Sequence, residues 1–167
     1  MNLRELKRQR AALQPVADAL PATVTDLESI RAFLEEIRGR PVRLVPCSMP
    51  SEPSAAWLPV PEEDLICYER STSPHHQRHL VLHEGAHMLL GHRSTAAAEL
   101  TGLLGPTLSP KFAGSLVCHR MFDDAEESQA EVLAVLLEER IDERLRTPAS
   151  PNEFASRNID RFMSSVE

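Results

Sequence analysis

At 167 residues and 42% hydrophobic content, the chain has the size of one domain and enough apolar side chains for a compact core. A formal charge of −7 argues against direct nucleic-acid binding by the chain as a whole, and no apolar run of about 18 residues is present to span a membrane. Aromatic residues make up only 4%, so the core must be built from Leu, Val, Ala and Ile. Cys47, Cys67 and Cys118 form no CxxC pair and do not read as a disulfide framework; they fit small buried hydrophobes better. Met1 to Gln14 is highly charged and lacks the apolar stretch of a signal peptide, which makes the cytoplasm the expected location.

Asn2 to Leu13 reads as a short basic helix, with Leu3, Leu6 and Leu13 partly on one side and a solvated Arg/Lys face on the other. That pattern fits a docking helix better than a recognition element. Thr25-Asp26-Leu27-Glu28 has the form of a capping box, and Leu27, Ile30, Phe33, Leu34 and Ile37 follow at helical spacing. Gly39 ends this helix and Pro41 prevents its resumption. Val42 to Val45 reads as a short strand. Pro46 to Pro61 reads as a proline-rich loop in which Trp57 serves as a lid over the core. Leu65 to Tyr68 reads as another strand, so a small sheet of two or three strands is expected beside the helices.

Ser73-Pro74 supplies an N-cap followed by proline at the first helical position. Leu80, Val81, Leu82, Met88, Leu89 and Leu90 make the ensuing helix apolar nearly all round, hence central and buried, with Gly91 as its stop. Two short helices are expected over 94–104 and 109–117, separated by Gly105-Pro106. Asp123-Asp124-Ala125-Glu126 then opens a long helix to about Leu145, again with a capping-box pattern. Beyond Thr147 lies a tail with a short amphipathic piece carrying Phe154, Ile159 and Phe162.

The central helix contains His83-Glu84-Gly85-Ala86-His87, an HExxH. Residues four apart on a helix lie about 40° apart around its axis and one turn along. His83 and His87 can therefore reach one metal ion from one face, while Glu84 is placed to take a proton from a water the metal activates. The helix is expected to be buried, where unpaired polar groups cost several kcal/mol, roughly. A metal ion would satisfy all three side chains at once.

Catalytic zinc takes three protein ligands, so a third is needed. On a continuous helix His92 would point about 140° away from His87, which favours a structural or supporting role. Cys47 lacks the Glu-Gly that precedes the cysteine ligand of peptide deformylases. His75, His76 and His79 read as solvated first-turn histidines, although His79 lies one turn before His83 on the same face. Glu127, on the second long helix, is the remaining candidate, and a Glu from a neighbouring helix is a usual way to complete a His2Glu site. Glu131 lies one turn further along and could accept a hydrogen bond from a ligand histidine. Glu126 fits the negative first turn of its helix, although register alone leaves it open as a ligand in place of Glu127.

The chain resembles the ImmA/IrrE family of zinc metallopeptidases, and in particular short actinobacterial members often called regulator components. His83-Glu84-Gly85-Ala86-His87-Met88-Leu89-Leu90-Gly91-His92 is similar to the family pattern HExxHxLLxH. Glu127-Ser128-Gln129-Ala130-Glu131-Val132-Leu133-Ala134-Val135-Leu136-Leu137 is similar to its later ExxANxFAxxLL. Glu131 stands where the family has Asn, Leu133 where it has Phe, and Glu138-Glu139-Arg140 replaces a Met-Pro. The resemblance implies an α+β, mainly helical, gluzincin-like core with a small sheet beside the HExxH helix. It implies three parts: a basic helix and linker over 1–24, the metallopeptidase-like domain over 25–146 and a tail over 147–167.

By this resemblance His83, His87 and Glu127 bind zinc, Glu84 is the general base, and the substrate is a partner helix-turn-helix repressor whose cleavage switches on phage-like or stress genes. Tyr68, His92 and His119 are candidates to steady the oxyanion, and a peptide is expected to add along the sheet edge near Leu65 to Tyr68. Two other classes compete. One is a non-proteolytic zinc-binding regulator acting through protein–protein contacts. The other is the toxin of a toxin–antitoxin pair.

Overall fold

The computed structural model describes residues 2–48, 54–92 and 122–146. The helices expected over 94–104 and 109–117, Cys118, His119 and the tail lie outside the described residues.

Each helix starts where a side chain can occupy its free N–H groups. Asn2 caps α1 (Leu3–Asp18), its Oδ1 accepting from the Glu5 N–H at 2.9 Å. This helix continues past Leu13 and through Pro15, further than its sequence predicts. The missing Pro15 N–H is offset by burial of Val16 and Ala17, which join Leu13 in the core. The next helix, α2 (Leu27–Arg38), has Asp26 as its cap in place of the expected Thr25. Asp26 and Ser29 form the reciprocal box, and Glu28 pairs with Arg31. Gly39 ends α2 in the left-handed region, at φ 62°.

The sheet follows: β1 (Val42–Cys47), β2 (Ala55–Pro59) and β3 (Asp64–Glu69). Its order is β1-β3-β2, with β1 parallel and β2 antiparallel to β3. The segment read as a proline-rich loop therefore contains a strand. Pro59 is tolerated there because β2 lies at an edge, where a missing N–H breaks no ladder. β3 is the central strand, paired along both sides, so a peptide cannot add at Leu65 to Tyr68 as expected; among the described residues the edges of the sheet are β1 and β2.

α3 (Pro74–Leu89) begins on Ser73, whose Oγ accepts from the His76 N–H, and carries Leu80, Val81, Leu82, Ala86, Met88 and Leu89 in the core. It packs on α2, on the sheet and on α4 (Asp124–Arg146). Gly85 permits the approach to α2: a Cβ there would stand 3.1 Å from Leu34 Cδ1. α4 supplies Ala130, Leu133, Ala134, Leu137 and Ile141 to the same core, and α1 lies along it with Arg10 paired to Glu139 at 2.7 Å. The described residues thus form an α+β arrangement of four helices and a three-stranded mixed sheet. None of these helices is long and apolar enough to cross a membrane.

Candidate metal centre

The α3·α4 packing sets the site. Asp123 caps α4, its Oδ1 accepting from the N–H groups of Ala125 and Glu126, while Glu126 reaches back to the Asp123 N–H. Glu126 is thereby engaged at the helix start. Glu127, the next residue, faces α3. Its Oε2 lies 3.2 Å from His83 Nε2 and 3.9 Å from His87 Nε2, and the two Nε2 atoms are 3.3 Å apart. Among the described residues this is the group of His, Cys, Asp or Glu side chains that could hold a metal ion.

The donor chemistry fits such an ion. Ligands at the usual zinc–nitrogen and zinc–oxygen distances stand about 3.3 Å apart when arranged tetrahedrally. The observed triangle is close to that. Two imidazole nitrogens and a carboxylate oxygen converge there, and a cation satisfies all three lone-pair donors together.

Supporting groups surround the triangle. Glu131 Oε2 lies 3.3 Å from His83 Nδ1. His92 is brought back toward the helix instead of pointing away. Gly91 adopts φ 67°, the Gly91 N–H donates to the Met88 carbonyl and the His92 N–H donates to the His87 carbonyl at 3.0 Å. This is a Schellman turn, and it invalidates the continuous-helix angle for His92. His92 Nδ1 then sits 2.9 Å from His87 Nδ1, and His92 Nε2 sits 3.3 Å from Gln129 Oε1.

Glu84 is 6% exposed, and its Oε2 accepts from the main-chain N–H of Trp57 on β2 at 2.8 Å. Trp57 is itself fixed: its indole Nε1 donates to the fully buried Asp64 at 3.1 Å, and the Arg38 guanidinium lies over its ring at 5.1 Å while pairing with Asp64 at 3.0 Å. On the other side, Phe122 stacks on the His87 ring with centroids 3.6 Å apart.

The electrostatics differ across the site. Burial pushes the Glu84 carboxyl up to about 7, against the opposing charge of His83 and the Trp57 N–H. Burial pulls His87 down to about 3, helped by the charges of His83 and His92, so this imidazole is neutral. Burial also acts to lower His83, but the Glu131 hydrogen bond and the charges of Glu84, Glu127 and Glu131 outweigh it and raise its pKa. Hydrogen bonds from His79 and then His83 hold Glu131 well below the usual carboxylate range.

Other candidates lie elsewhere. Tyr68 is buried on β3, its hydroxyl pKa raised by burial and then by Cys47, and no hydrogen bond among the described residues ties it to His83, Glu84 or His87. Cys47 and Cys67 are buried outside the triangle, and burial pushes the Cys67 thiol up to about 12. Three contributors escaped the sequence reading: the Trp57 main-chain N–H, Gln129 and Phe122. Phe122 had one available signal. It precedes the α4 cap where a hydrophobic staple would begin, yet its staple partner position holds Glu127, leaving the ring free for another contact.

No protein-family model, curated protein or solved structure matches this chain.

Proposed function

We propose that the chain is a zinc-dependent metallo-endopeptidase of the ImmA/IrrE type, acting in the cytoplasm on a helix-turn-helix repressor. The observation that carries the metal part is the 3.2, 3.3 and 3.9 Å triangle of His83, His87 and Glu127 donor atoms. These three side chains hold the ion. When bound, zinc supplies Lewis acidity toward the scissile carbonyl and brings the pKa of water toward about 7.

Glu84 performs the proton transfers. Its carboxylate, one residue from His83 on the helix that carries both histidines, is placed to take a proton from the attacking water and return it to the leaving amine. The Trp57 N–H holds Oε2, leaving Oε1 to exchange the proton. Glu131 accepts from His83 Nδ1–H, which leaves His83 Nε2 as the donor to the metal. The outer side of β2, an edge among the described residues whose Trp57 N–H meets Glu84, is the side on which an extended peptide would lie. The repressor as substrate follows from the paired motifs and accords with the acidic charge of the chain.

Metal content by plasma mass spectrometry tests the first half. About one zinc per chain is expected, lost in Glu127→Ala. Cleavage of helix-turn-helix repressors tests the second: Glu84→Gln should keep its zinc and lose activity by roughly 100-fold or more. Cleavage retained in that variant sinks the general-base role. A wild-type chain that takes up no zinc sinks the enzyme reading and leaves a regulator acting by contact.

A further inference from the structure

His87 is completely buried, and its two nitrogens face two different worlds: Nε2 the triangle, Nδ1 the ring of His92. We propose that Gln129, acting through His92, sets which nitrogen of His87 carries the proton and so decides whether His87 can ligate a metal. This rests on the reading of His83, His87 and Glu127 as a metal site.

Two Nδ1 atoms 2.9 Å apart must share one proton, so one ring donates and the other accepts. In a neutral imidazole the nitrogen that does not donate accepts. If Gln129 presents its carbonyl Oε1 to His92 Nε2, across the 3.3 Å separation, then His92 Nε2 carries the proton and His92 Nδ1 accepts. His87 Nδ1 must then donate, and its Nε2 lone pair faces Glu127 and His83. Turn the Gln129 amide over and every role inverts. The NH2 group donates to His92 Nε2, His92 Nδ1 donates to His87 Nδ1, and His87 Nε2 carries a hydrogen into the triangle where the metal belongs. Gln129 touches neither metal nor substrate. It is a positioning residue, two steps removed.

Two substitutions fix the amide's choice. Glu at 129 can only accept, and Lys can only donate. Zinc affinity of the full chain, measured by competition with a chromophoric chelator, should stay within about threefold of wild type in Gln129→Glu. It should fall about 10- to 100-fold in Gln129→Lys. The positive charge of Lys would weaken zinc binding by itself, so the deciding readout is the tautomer of His87 in metal-free protein, read from its side-chain nitrogen-15 shifts. The wild type and Gln129→Glu should carry the proton on Nδ1, and Gln129→Lys on Nε2. A proton on Nε2 in the wild type, or a tautomer unmoved by Gln129→Lys, overturns the proposal. A wild-type chain that binds no zinc fails the metal reading alone; the tautomer measurement needs no metal and still decides the relay.

Discussion

The two ends of the α3·α4 interface use the same side chains for different chemistry. α3 carries histidines at 75, 79, 83 and 87, one per turn, and α4 answers with Glu127, Glu131, Glu138 and Asp142. At the outer end, each nitrogen of His79 has its own carboxylate: Nε2 lies 3.4 Å from Glu131 and Nδ1 lies 3.3 Å from Glu138. The Glu131 hydrogen bond, working against burial, raises the His79 pKa, so this ring favours its cationic form. Arg78 adds a second cation, 3.4 Å from Glu138 and 2.5 Å from Asp142. At the inner end, His87 meets two other imidazoles, and its pKa falls to about 3. Residue type is common to both ends. What differs is burial and the number of acceptors per nitrogen: one carboxylate for each N–H makes an ion pair, whereas several lone pairs aimed at one point form a group that could hold a metal ion.

The inner end should show the largest departure. In metal-free protein Glu84 binds a proton more tightly folded than unfolded, with a pKa raised from 4.5 to about 7. Its contribution is therefore fully present below about 4.5 and is lost as pH rises through about 7. Glu84→Gln keeps an acceptor for the Trp57 N–H and has no charge to bury. Chelator-treated Glu84→Gln should match wild type near pH 4.5 and exceed it by about 3 kcal/mol near pH 8. Denaturant titrations at both pH values check this; a constant difference would mean that Glu84 is not desolvated.

The outer end should give smaller effects. Arg78 has a side chain 14% exposed and bridges two carboxylates. Arg78→Ala should cost about 1–2 kcal/mol, largely independent of pH between 6 and 8, by the same titrations. His79→Gln should be the mildest. A raised histidine pKa contributes stability below its unfolded value of about 6.5, and the contribution is lost as pH rises through the folded value. The variant should lose under about 1 kcal/mol near pH 6 and almost nothing near pH 9, because the ring is partly solvated. A larger loss at high pH would show that His79 acts as packing and not as a cation.

The inner end was legible in sequence because a helix converts spacing into direction. His83 and His87 share a face by period alone, and Ser73-Pro74, Gly91 and the Asp123–Glu126 box mark helix ends whose chemistry is local. What failed was whatever depended on partners distant in the chain. β2 was hidden because its prolines read as loop, and only its edge position makes Pro59 acceptable. α1 runs through Pro15 with Val16 and Ala17 buried and the helix packed along α4. Two adjacent residues could both cap α2, and Ser29, not Glu28, selected Asp26. His92 was placed by a six-residue turn that a helical-wheel argument cannot represent. Gln129 carries no pattern of its own and acquires meaning only from the ring it faces.

The hydrogen bond that secures Glu84 comes from the main chain of Trp57, not from its indole. Truncating the side chain at 57 would disturb the Asp64 and Arg38 contacts yet leave that amide in place. A systematic alanine scan would thus pass over the group nearest the proposed base. Proline at 57 is the one natural replacement that deletes the N–H, so tolerance of every other residue there, joined to intolerance of proline, would be the genetic signature of a backbone atom at work.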